Sequence, residues 1–141
     1  MSAEANKAVV RRFIDEAIGK GDLATFREVC AADFVWHGAS MGEFHDLDSF
    51  LQGAGPLFAA LAGVTPTTED LVAAGDKVVA RYHWQATHQG ELFGVPATGR
   101  TVRVSGLACY RIAGGQIAEE WVFDDWLGLM QQVGALPAPA A

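Results

Sequence analysis

The chain has 141 residues, 50% of them hydrophobic and 10% aromatic, enough to build one sizeable core. Its net charge of -7, with only ten Lys and Arg and no basic cluster, excludes nucleic acid and anionic membranes as expected partners. No stretch approaches the roughly eighteen continuous apolar residues of a membrane span, and the opening MSAEANKAVVRRF is charged and amphipathic, unlike a signal peptide. The expectation is a soluble, cytoplasmic protein with a single domain over residues 1–134 and a flexible tail over 135–141.

From Ala3 to Ile18, residues Val9, Val10, Phe13, Ile14, Ala17 and Ile18 recur at helical spacing, predicting an amphipathic first helix with Gly19 as a left-handed cap. Asp22 is placed to cap a short second helix with Leu23, Phe26 and Val29 or Cys30 inward, followed by a brief strand over Asp33–His37. Asp46 or Asp48 can cap a third helix carrying Leu47, Phe50, Leu51, Leu57, Phe58 and Leu61, which Gly53, Gly55 and Pro56 should kink or interrupt. Beyond Gly63 the chain turns to strand chemistry: Thr67–Ala73, Val78–His88, Thr101–Ile112 and Ile117–Phe123, with turns at Gly75-Asp76 and Gly114-Gly115. A short amphipathic helix from Trp126 to Val133 closes the pattern. The expected fold class is α+β, a curved antiparallel meander wrapped around N-terminal helices, with a deep apolar cavity between them.

Cys30, on a predicted helix, and Cys109, on a predicted strand, stand far apart without a CxxC or His-Cys pattern and read as reduced core residues. The four histidines show no HxH or HExxH spacing, so no metal site is expected. The glycine-rich segments lack the strand-to-helix setting of a phosphate loop, and no serine sits in a GxSxG turn.

Four segments together, VVRRFIDEAIGKGDLATFREVCAADFVWH, ATHQGELFGVPATGR, YRIAGGQIAEEW and LGLMQQVG, resemble the SnoaL-like branch of the nuclear-transport-factor-2-like superfamily. That branch holds polyketide ring cyclases and proteins labelled ester cyclases. The resemblance implies a cone-shaped α+β barrel, a homodimer or higher oligomer formed across sheet surfaces, and chemistry on a small apolar metabolite without metal or organic cofactor. It also implies an Asp general acid/base at position 122 and a Gln-x-His pair at 106 and 108. Here those positions hold Val122, Gly106 and Ala108, none of which can move a proton. A related branch, resembling limonene-epoxide hydrolases, implies an Arg-x-Asp pair where this chain has Arg81-x-His83.

Strand alternation supplies other candidates. If Val122 faces the cavity, Glu120 and Asp124 share its face, while Trp121, Phe123 and Asp125 point away. A bulge or helix cap at the strand end could turn Asp124 or Asp125 inward, and a carboxyl in an apolar cone has its proton affinity raised toward neutral pH. Asp124, Asp125, His37 and His88 are the catalytic candidates; the histidines can polarise a carbonyl or shuttle a proton. Phe13, Trp36, Tyr82, Trp84, Glu120 and Val122 are the candidate substrate contacts. The function expected is acid/base proton transfer on a polyketide- or terpenoid-like metabolite by cyclisation, isomerisation or hydration. The alternative is a binding protein that keeps the pocket without the cyclase residues.

Overall fold

Ser2 starts the first helix: its hydroxyl oxygen accepts from the Ala5 N–H at 3.1 Å, and α1 runs Ala3–Arg12. In the computed structural model, which describes residues 2–140, the helix then widens into a π-helical turn over Phe13–Ile18. Met1 and Ala141, with it the end of the expected tail, lie outside the described residues. Gly19 remains right-handed at φ -65° because it still belongs to the helix, and the left-handed residue is Gly21 at φ 63°. Asp22 then caps α2 (Leu23–Val29), accepting from the Ala24 N–H at 3.0 Å. A helix this short has one buried stripe, occupied by Thr25, Phe26 and Val29, so Leu23 is exposed and not inward as expected. Cys30 opens β1 (Cys30–His37) instead of closing the helix.

A 3-10 turn over Ala39–Met41 and β2 (Glu43–Phe44), neither expected, lead to α3 (Leu47–Ala60). Asp46 is its cap, accepting from the Ser49 N–H at 2.7 Å. The helix runs through Pro56 without interruption. Gly53 is needed for space, since a Cβ there would lie 2.0 Å from the Phe44 ring that packs on the helix.

The strands are longer than predicted: β3 (Leu61–Ala74), β4 (Lys77–His88), β5 (Thr101–Ala113) and β6 (Gln116–Asp124). They form the expected antiparallel meander, and Gly114 and Gly115 both take positive φ, 59° and 77°, the turn geometry that matches strand twist. The sheet order is β2-β1-β6-β5-β4-β3, with β1 parallel to β6, a pairing that the sequence reading lacked. Register shifts in the β1/β6, β3/β4 and β5/β6 pairs give the sheet bulges, which bend strands and raise local twist. Along β4, Val78, Ala80, Tyr82, Trp84, Ala86 and His88 are buried on the helix-facing side, where α1 and its π-helical extension contribute Val10, Phe13, Ile14 and Ala17 to the same core. Both cysteines are free thiols, Cys30 buried and Cys109 half-buried.

The last helix, α4 (Trp126–Gln132), packs on β5. Asp125 is its N-cap and accepts from the Gly128 N–H at 2.9 Å. Among the described residues no helix is long and apolar enough to cross a membrane. Asp125→Ala is expected to cost about 1 kcal/mol of stability through loss of this cap, read as a lower urea midpoint.

Candidate active site

One extra residue in β6 sets the site. Ile112 pairs with Ile117 but Arg111 pairs with Glu119, which leaves Ala118 as a bulge. The bulge reverses the facing, so Ile117 and Glu120 are both buried although they are three residues apart. From Glu120 onward strict alternation holds: Glu120, Val122 and Asp124 face the cavity, and Phe123 is 66% exposed on the other side.

The cavity has a volume of about 180 Å³. Its walls include Phe13 and Ile14 of the π-helical turn, Trp36 of β1, Phe50 and Leu57 of α3, Tyr82 and Trp84 of β4, and Trp126 of α4. Trp36 is wedged against Phe44 and Phe50, with ring centroids 5.6 and 5.5 Å away. Among the described residues no Lys, Arg or His lines it, so Glu120 and Asp124 meet no opposing charge from them inside.

Asp124 is surrounded by donors instead. The Tyr82 hydroxyl donates to its Oδ1 at 2.5 Å, and the Trp84 indole N–H donates to its Oδ2 at 3.2 Å. Burial raises the proton affinity of Asp124, while the Tyr82 and Trp84 hydrogen bonds pull it back down by favouring the carboxylate. Burial, with the Asp124 charge second, raises the Tyr82 phenol as well, so it stays a donor. Glu120 is only 3% exposed, and burial pushes its carboxyl up to about 8. The hydroxyl of its cross-strand neighbour Tyr110 works against that shift, and the negative charge of Asp124 adds to it. The same face of one strand thus carries two buried carboxyl groups whose proton affinities are both raised, Glu120 to about 8 and Asp124 against the pull of two donors, with Val122 between them. Four strand steps separate their backbones by roughly 13 Å.

The cavity brings together Phe13, Trp36, Tyr82, Trp84, Glu120, Val122 and Asp124 from the sequence-predicted set. It does not bring in Asp125, His37 or His88. Asp125 faces away and caps α4. His37 lies on the outer side of the sheet, stacked on Trp121 at 5.2 Å, with Nδ1 3.1 Å from Glu43 and Nε2 2.6 Å from Glu119. Glu119, also bonded by Arg111, is held below the usual carboxylate range, first by His37 and then by Arg111. His88 is fully buried, and its Nδ1 accepts from the Thr98 N–H at 3.3 Å, fixing the segment between β4 and β5. Arg81 points outward into an ion pair with Asp70 and His83 into a hydrogen bond with Glu69, so the Arg-x-His pair is not at the cavity. Among the described residues no group of three or more His, Cys, Asp or Glu is arranged to hold a metal ion.

Sequence reasoning missed Tyr110, the neighbour of Glu120. The Gly114-Gly115 hairpin without a bulge would pair Tyr110 with Glu119, and only the extra residue at Ala118 brings Glu120 opposite it.

The comparisons agree with this architecture. The family model for SnoaL-like polyketide cyclases matches residues 8–133. A candidate SnoaL-like polyketide cyclase from Jannaschia sp. CCS1 is 26% identical, with a TM-score of 0.86 over 96% of this chain and 95% of that one. IdmH, a candidate polyketide cyclase from Streptomyces antibioticus, is 31% identical, with a TM-score of 0.81 over 92% of this chain and 98% of its own. AclR, a candidate hydroxylase from Streptomyces galilaeus, is 26% identical, with a TM-score of 0.85 over 99% of this chain and 87% of its own. No curated protein matches the sequence. The matched span, the six-stranded sheet around the N-terminal helices and the cavity between them place this chain in the SnoaL-like polyketide cyclase family.

Proposed function

We propose that this chain is a cofactor-independent enzyme that moves protons on a small, apolar, neutral metabolite, with Asp124 as base and Glu120 as acid. The observation that carries the reading is the pair of buried carboxyl groups on one face of β6. Burial raises both, Glu120 to about 8, while Asp124 alone is given two side-chain donors, Tyr82 and Trp84, that favour its carboxylate, and unequal surroundings of this kind separate an acid from a base. The Asp124 carboxylate takes a proton from a carbon or hydroxyl activated by a substrate carbonyl. The Glu120 carboxyl hydrogen-bonds the oxygen on which negative charge develops and delivers its proton there. Redelivery of the proton from Asp124 to another carbon, with Glu120 taking its proton back as the carbonyl re-forms, gives isomerisation. Attack of the enol carbon on a second carbonyl carbon of the same molecule, with the enol proton returning to Glu120 and the Asp124 proton passing to the new alkoxide, gives ring closure.

The walls support the substrate class. An apolar cavity of about 150 Å³ admits benzene, so about 180 Å³ suits a compact molecule of one or two rings. The absence of a lining cation disfavours an anionic ligand, and the aromatic walls favour a flat polyketide- or terpenoid-like skeleton.

A second reading is favoured by Val122, Gly106 and Ala108, the three positions without the family's acid/base groups: a binding protein that returns its ligand unchanged. Turnover separates the two. Asp124→Asn is expected to keep the fold and lower kcat by roughly 10²- to 10⁴-fold, measured on whichever ligand the chain converts; unchanged kcat removes Asp124 as base. In the native chain kcat/KM should fall as pH rises past about 8, where Glu120 loses its proton, and Glu120→Gln should abolish that alkaline limb.

We also propose that two copies pair through the outer sheet face. Val79, Leu107 and Phe123 are exposed apolar residues on neighbouring strands there, and contiguous exposed apolar surface of this kind suits a protein–protein contact. Sedimentation should give a dimer mass for the native chain and a monomer mass for Phe123→Arg; a native monomer would contradict the proposal.

A further inference from the structure

Gly106 sits mid-strand in β5, where glycine weakens a sheet and calls for a reason. Backbone conformation is not that reason, because Gly106 is not among the glycines with positive φ. Space is. Tyr82, Gly106 and Asp124 form one cross-strand row over β4, β5 and β6, and the central position of the row has no side chain. A Cβ at 106 would lie 1.9 Å from Asp124 Oδ1, 2.9 Å from its carboxyl carbon and 3.0 Å from the Tyr82 ring.

We infer that Gly106 is a positioning residue: the missing side chain is the slot through which the Asp124 carboxylate reaches back over β5 to the Tyr82 hydroxyl and the Trp84 indole. With any side chain at 106 the carboxylate must swing away, because it is the mobile partner in the clash and the strand backbones are fixed by their ladder. Swinging away breaks both hydrogen bonds at once and leaves the Tyr82 hydroxyl and Trp84 N–H without their acceptor. The geometry stands by itself; its consequence for turnover rests on the reading of Asp124 as base.

The test is a double-mutant cycle on the ligand-free chain with Gly106→Ala, Asp124→Ala and both together, followed by thermal unfolding and by the NMR resonance of the Trp84 indole N–H. Gly106→Ala alone should lower Tm by roughly 5 °C and move the Trp84 resonance to its position in Asp124→Ala. Adding Gly106→Ala to Asp124→Ala should cost little, since two alanines are an ordinary cross-strand pair and the clashing carboxyl is gone. Were the single variant to fail to fold, folding of the double variant would still support the slot. Additive losses of Tm, or a Trp84 resonance unmoved by Gly106→Ala, would overturn it. If the cycle shows coupling but Asp124→Asn retains full turnover, the slot stands and the catalytic reading falls.

Discussion

A carboxyl group enclosed by apolar walls must either keep its proton or gather donors, because an ionised group without partners is costly to bury. β6 carries one example of each. Glu120 follows the first course, with no basic residue beside it in the cavity. Asp124 follows the second, with Tyr82 and Trp84 reaching it from β4. Everything else that positions the site serves this arrangement: the bulge at Ala118 turns Glu120 inward, and the glycine at 106 gives Asp124 its place in the row.

The arrangement has a cost in stability with a definite sign. The folded chain holds the Glu120 proton up to about 8, against an ordinary value of 4.5, so the folded state binds more protons than the unfolded chain between those values. Stability from this group is complete below the ordinary value and is lost as pH rises through the folded one, up to about 5 kcal/mol across the span. Burial of Asp124 acts in the same direction. Asp22 and Asp46 act in the opposite one, since hydrogen bonds with Thr25 and Ser49 respectively lower their proton affinities. A site that weakens its own fold at mildly alkaline pH gains a proton donor at neutral pH, an exchange common where chemistry needs perturbed groups.

Much of the scaffold was legible because its signals are local. Asp22 and Asp46 were readable as caps from their place before apolar periodic runs, and each accepts backbone N–H groups at its helix start. The facing of Glu120, Val122 and Asp124 followed from a period of two once one of them was placed. The bulge was not legible, since an extra residue in β6 is defined by its pairing with β5, and pairing is nonlocal. The parallel contact of β1 with β6 was hidden for the same reason. His37 and His88 looked like catalytic candidates because a histidine in sequence carries no record of its partners. In space one is engaged by two glutamates on the outer face and the other by Thr98. Gly106 read as a lost functional group, and its role as a space was invisible until Asp124 stood opposite it.

The central claim is that Glu120 keeps its proton to a higher pH than Asp124 on the same strand face. It is tested most directly by following the side-chain carboxyl carbons of both residues by NMR across a pH titration, with Glu120→Gln and Asp124→Asn assigning the two signals. The account predicts that Glu120 ionises last, near pH 8, after Asp124 with its two donors has already lost its proton. Two carboxyl groups that titrate together in the ordinary acid range would contradict it.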